Sequence, residues 1–133
     1  MIKPRQNRSL RSLDVRFSGK LRAWLAAAQG AGFHVLVYET KRTLERQKWL
    51  YAAGRTRRGA IVTYTIDSCH RYGCAVDLVP LDARGRANWN GYAALYRAVP
   101  PSRFGLELLD FERPHLQIKG GQKQARAWGI SPA

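Results

Sequence analysis

The sequence predicts an α+β fold, with a small antiparallel sheet flanked by helices. Three observations carry this. First, 45% of the 133 residues are hydrophobic, and four Trp, six Tyr and four Phe are among them. That is enough for one folded core and one domain. Second, short runs rich in β-branched and aromatic residues mix with short stripes at helical spacing. Third, these runs follow no strand–helix–strand rhythm, so a parallel sheet with crossovers is not indicated.

Taken in order, residues 1–17 read as a basic arm with little structure of its own, and residues 18–133 as the single domain. Ser18 can cap a helix over about 19–29, where Leu21, Trp24, Leu25 and Ala28 form one stripe and Gly30 ends it. The run FHVLVYE (33–39) reads as a buried strand, in which His34 is structural. Thr43 can cap a helix over about 44–53, stopped by Gly54. GRTRRG (54–59) is a basic loop, and AIVTYT (60–65) and CAVDLV (74–79) are strand candidates. PLDARGRANWNG (80–91) is rich in turn residues, and GYAALYRAV (91–99) is a short helix ended by Pro100-Pro101. RFGLELL and PHLQIK (114–119) read as closing strands, and QKQARAW (122–128) as a terminal helix.

Charge is uneven. The formal total is +14, of which residues 1–60 carry fourteen Lys/Arg less three acids, or +11. Such a surface suits a polyanion: a nucleic acid, an anionic membrane or an anionic wall polymer. No apolar run approaches the roughly 20 residues of a membrane span. The basic start lacks an apolar core, so no Sec signal peptide is expected and synthesis in the cytoplasm is. Two cysteines make no disulfide framework. Cys74 shares a strand face with Val76 and Leu78 and reads as a small core residue. Cys69 neighbours His70, which leaves a thiolate ligand there as an alternative.

Three segments concentrate the chemistry. They are SCHRYGCAVD with His70 and Asp77, FERPHLQ with Glu112 and His115, and ETKRTLERQ with Arg42. A catalytic zinc needs three N/O ligands and an open position for water. A carboxylate that does not bind the metal moves the proton, and an arginine stabilises the developing oxyanion. On a strand, Leu116 and Ile118 face the core while His115 and Gln117 face the other side, where a site can lie. Pro114 marks a strand edge and puts Glu112 in the turn leading in. An unpaired charge inside CAVDLV is costly, so Asp77 calls for a partner.

At these residues the chain resembles the zinc D,D-/L,D-peptidase family of peptidoglycan hydrolases. That family's pattern is S-x-H-x-x-G-x-A-x-D, followed later by an acid, two spacers and His. Ser68, His70, Gly73, Ala75 and Asp77 meet the first part, and Glu112 with His115 the second. Upstream, Arg42, Thr43 and Gln47 resemble the R-(S/T)-x-x-x-Q stretch of the phage endolysin branch, with GRT following at 54–56. The resemblance covers roughly residues 20–128. It implies one zinc ion on His70, Asp77 and His115, Glu112 as general base and then acid, and Arg42 as substrate-orienting and oxyanion-stabilising residue. Ser68 and Gln47 are implied to line the cleft. The implied fold is the compact α+β shared with the hedgehog signalling domain.

One departure is that many relatives carry Trp-Gly-Gly before the acid, where this chain has RFGLELLDFERPH. Asp110 is also near enough in sequence to compete with Glu112, whose spacing to His115 fits the pattern better.

The function implied is that of a monomeric phage endolysin cutting the L-alanyl-D-glutamate bond of stem peptides. It is expected to be made in a host cytoplasm and to act on the wall after the membrane opens. The basic half is expected to attract anionic wall or outer-membrane polymers. A D-Ala-D-Ala carboxypeptidase or dipeptidase is the near alternative. A basic nucleic-acid-binding protein and a zinc module without turnover are alternatives of other classes. No nucleic-acid-binding signature supports the former, and Glu112 argues against the latter.

Overall fold

The computed structural model describes residues 2–110 and 113–133. Helix α1 spans Val15–Gly30, with Asp14 rather than Ser18 at its N-cap. The Asp14 carboxylate accepts from the backbone N–H groups of Arg16 and Phe17, which adds a turn to the expected helix. That turn places Phe17 beside Leu21, Trp24 and Ala28 on a face with no solvent exposure. The segment expected to be an arm is therefore partly core, with Leu13 also buried. Its earlier part lies along the end of strand β1 (His34–Glu39), where Thr40 N–H donates to Asn7 O at 2.8 Å and Gln6 Nε2 to Tyr38 O at 2.6 Å.

The sheet is antiparallel throughout, with strands in the order β1 (His34–Glu39), β2 (Ala75–Leu81), β4 (His115–Ile118), β3 (Leu106–Leu108). Strand β1 is an edge strand rather than a buried one, with His34 and Leu36 exposed. Register then decides what meets. Glu39 pairs with Asp77 and Asp77 with His115, so one row crosses three strands. Two residues along, Ala75, Gln117 and Glu107 form the next row on the same face. Val76, Leu78, Leu116 and Ile118 join the core on the other side, as strand parity predicts.

Helix α2 (Leu44–Ala52) has Thr43 as its cap, α3 (Tyr92–Ala98) stops before Pro100-Pro101, and α4 (Gly121–Ala127) closes the chain. A 3₁₀ turn, Pro101–Phe104, follows the prolines. Residues 60–65 are not a strand. No described strand pairs with them, and Ile61, Val62 and Tyr64 are exposed. The β propensity of Ile, Val, Thr and Tyr found no neighbouring strand edge there.

Candidate metal centre

His70 sits in a 3₁₀ turn, Cys69–Tyr72, capped by Ser68, whose Oγ accepts from His70 N–H at 3.2 Å. Gly73 closes the turn with φ +69°, and its carbonyl accepts from Asp14 N–H at 3.0 Å. A Cβ at Gly73 would stand 3.1 Å from that same nitrogen, so the turn and the cap of α1 are packed as a unit that only glycine fits. The His70 ring is buried, with Nδ1 2.7 Å from Thr40 O. A carbonyl only accepts, so Nδ1 carries the proton and Nε2 presents its lone pair to Asp77 Oδ1, 3.2 Å away.

His115 is fixed in the opposite sense. Gln117 donates its amide to Glu107 Oε1 at 3.2 Å, which turns its oxygen toward His115 Nε2 at 2.7 Å. His115 Nε2 therefore carries the proton, and Nδ1 faces Asp77 Oδ1 at 3.7 Å. One atom from each of His70, Asp77 and His115 lies within 4.8 Å of the others.

Electrostatics sharpens this convergence. Burial lowers the pKa of His70 against the pull of Asp77, which keeps the ring neutral. Burial pushes the Asp77 carboxyl up, but the adjoining histidines and the Arg42 charge hold it well below the usual carboxylate range. His70 Nε2, His115 Nδ1 and an Asp77 carboxylate oxygen thus converge on one another. Such a set is satisfied by a cation, and its N, N, O composition suits zinc.

Arg42 lines the same cleft but is heavily engaged. It donates to Asp77 Oδ2 at 2.8 Å, Glu39 Oε1 at 2.9 Å and Gln47 Oε1 at 3.2 Å. Glu39 also holds Arg46 at 2.9 Å, and the two arginines, after the opposing effect of burial, keep its carboxyl ionised. Arg42 Nε is buried without a hydrogen-bond partner among the described residues.

The cleft has a volume of about 480 Å³ and is lined by Arg42, Asp77, His115, Gln117, Ser68 and Cys69, by residues 62–65, and by Leu109, Asp110, Arg113, Pro114 and Gln122. Ser68 is thus among the lining residues. Gln47 is not: it is fully buried behind Arg42, and its amide donates to Thr65 O at 2.8 Å. It anchors the cleft wall rather than forming it. Glu112 lies outside the described residues. Cys69 borders the cleft, but burial and then the neighbouring Cys74 push its thiol up to about 12, so it stays protonated. It is not in the metal-holding group, and Cys74 is core.

Three supporting residues escaped the sequence reading: Glu39, Thr40 and Glu107. Glu39, a carboxylate at the end of an apolar strand, was a usable signal for a buried partner. Gln117 had its strand face from the sequence, but not its bond to His115. Thr40 acts through its backbone carbonyl, which no side-chain pattern reports.

The fold is one seen in solved peptidoglycan peptidases, and here it gathers His70, Asp77 and His115 at one face of the sheet. The Serratia marcescens L-Ala D-Glu endopeptidase ChiX superposes with a TM-score of 0.63, at 24% identity and covering 89% of each chain. The vancomycin resistance D,D-pentapeptidase VanY, in complex with Zn(II), gives 0.57 at 20% identity, covering 80% of this chain and 72% of that one. In sequence, 67 residues are 39% identical to the peptidoglycan L-alanyl-D-glutamate endopeptidase CwlK of Bacillus subtilis (strain 168). That match spans 49% of this chain and 40% of CwlK. No family model matches the chain. No helix among the described residues is long and apolar enough to cross a membrane.

Proposed function

We propose that this chain is a zinc-dependent peptidoglycan peptidase that cuts the L-alanyl-D-glutamate bond of stem peptides. The observation that carries this is the convergence of His70 Nε2, His115 Nδ1 and Asp77 Oδ1 within 4.8 Å at an open cleft. The likeness to CwlK and ChiX, both named for that bond, supports the choice of substrate.

In this reading one zinc ion is held by His70, Asp77 and His115. When bound, it supplies an activated water and Lewis acidity. Thr40 and Gln117 hold the two rings in the ligating tautomers, and Arg42 holds the second oxygen of Asp77. Glu112, next in sequence to the cleft residue Arg113, takes the proton of the attacking water and returns it to the departing amine. Arg42, at the cleft, orients the scissile carbonyl.

The biological role we assign is that of a monomeric phage endolysin acting on the bacterial wall once the membrane is opened. Its basic surface holds anionic wall or outer-membrane polymers.

The test is zinc content and mass spectrometry of digested muropeptides for the wild type, His70→Ala and Glu112→Ala. His70→Ala is expected to lose zinc and activity, and Glu112→Ala to keep zinc and lose activity. Products cut after L-alanine support the endopeptidase, whereas release of terminal D-alanine alone assigns the carboxypeptidase. Full activity in Glu112→Ala, or lysis in strong chelator, would sink the mechanism.

A further inference from the structure

The cleft holds two cations among its described lining residues, and their circumstances differ. Arg42 has a side chain only 10% exposed and is paired with Glu39 and Asp77, so it has little net charge left for a substrate carboxylate. Arg113 is 65% exposed and carries a single described carboxylate contact, from Nε to Asp110 Oδ2 at 3.4 Å. A pair this open to water contributes little and exchanges readily. The remaining guanidinium donors, in their planar fork, are suited to a second carboxylate.

The backbone of Arg113 is nevertheless well anchored. Its N–H donates to Asp110 O at 3.2 Å, and its carbonyl accepts from the Tyr96 hydroxyl at 3.5 Å. The next residue, Pro114, accepts from Leu78 N–H at 3.1 Å, and His115 follows. An exposed charge is thus mounted on an anchored backbone, two residues along the chain from His115.

The substrate chemistry supplies the matching group. A glutamyl residue has two carboxyl groups, and only one continues the chain. Whichever that is, the glutamyl residue on the leaving side of the cut brings one free carboxylate into the cleft.

We infer that Arg113 is a specificity-determining residue that binds the free glutamyl carboxylate of the stem peptide, exchanging Asp110 for it. This rests on the peptidase reading above and adds to it a preference for the glutamyl acid over its amide. Amidation removes the charge and turns two acceptors into one acceptor and one donor, which Arg113 cannot serve equally.

The test is a cycle of two substrates and three enzymes. Zinc-loaded wild type, Arg113→Gln and Arg113→Lys are each given muropeptides that differ only in having a free or an amidated glutamyl carboxyl. For the wild type, kcat/KM is expected to favour the acid by roughly fivefold to tenfold, mostly in KM, as one partly exposed charge-assisted hydrogen bond implies. Arg113→Gln should bring the ratio close to one, and Arg113→Lys should restore part of it. Because the readout is a ratio within each enzyme, a general loss of activity does not move it. The inference is overturned if the wild type shows no preference, or if Arg113→Gln keeps it. If the wild type cuts neither substrate, the peptidase reading falls and takes the inference with it.

Discussion

Gln117→Leu is the most direct probe of how the site is prepared for a metal. Gln117 is 5% exposed, and leucine nearly fills its volume, so the change removes polar atoms without opening a cavity. What goes is the acceptor 2.7 Å from His115 Nε2, together with the donor to Glu107 Oε1. Glu107 Oε1 keeps Gly120 N–H at 2.7 Å, so the loss to the fold is two hydrogen bonds, or roughly 1–3 kcal/mol. At the metal, a lost partner of a ligating histidine costs roughly 10–100-fold in affinity, or about 1.4–2.7 kcal/mol.

Zinc affinity from competition with a chelating dye reads the second term. Thermal melts with and without zinc read the first. The expected result is a drop in the metal-free melt and a larger one in the zinc-loaded melt. Gln117→Glu separates geometry from charge. It keeps the acceptor for His115 but sets a second carboxylate against Glu107, so zinc affinity should hold while the metal-free fold weakens. Zinc affinity within twofold of wild type in Gln117→Leu would refute the assignment of the His115 tautomer to this contact.

Four further outcomes follow from the same contacts. Gly73→Ala forces a left-handed φ on alanine and crowds Asp14 N–H, so it should cost about 1–3 kcal/mol in denaturant unfolding and lower zinc affinity; an unchanged midpoint would contradict it. Metal-free protein should lose stability in two stages as pH falls. His70, with its folded pKa below the ordinary value near 6.5, favours the unfolded chain once pH drops past that value. Glu39 and Asp77, both depressed, add a second loss below about pH 4. Denaturation midpoints in chelator that rise from pH 8 to pH 5.5 would argue against a buried neutral His70. Gln47→Leu should leave zinc bound but speed hydrogen exchange across residues 60–66, because Thr65 O loses its donor; unchanged protection there would show that the loop stands by itself. For polymer binding, Arg58→Gln is the clean variant, since Arg55 stacks over Tyr51 and Arg57 over Trp49. It should weaken binding to anionic wall polymer and flatten the salt dependence, and an unchanged salt slope would remove Arg58 from that role.

What the sequence revealed of this site, and what it hid, divides along a physical line. Local rules placed Thr43 as a cap, put His115 and Gln117 on one face of a strand, and demanded a partner for Asp77. Each depends on a residue and its near neighbours in the chain. The cap of α1 was misread because Ser18 and Asp14 are both acceptable caps, and the choice is made at a distance. Asp14 N–H bonds to Gly73 O, and Phe17 fills the core, so tertiary contacts select the longer helix.

The 60–65 segment shows the same limit from the other side. Its β-branched residues satisfy every local criterion for a strand, yet a strand needs an edge to pair with, and among the described residues none takes it. The segment is held instead by side chains: Gln47 to Thr65 O, and Arg55 to Thr63 O at 3.2 Å. A wall fastened by side chains can shift without unravelling the sheet. The candidate ligands Asp77 and His115, and their support Gln117, stand in the sheet's register, and His70 in the turn that Gly73 locks. The fold thus separates a floor held by sheet hydrogen bonds, where the candidate ligands stand, from a wall held by side chains. A site that must keep its ligand geometry while fitting a substrate calls for that separation.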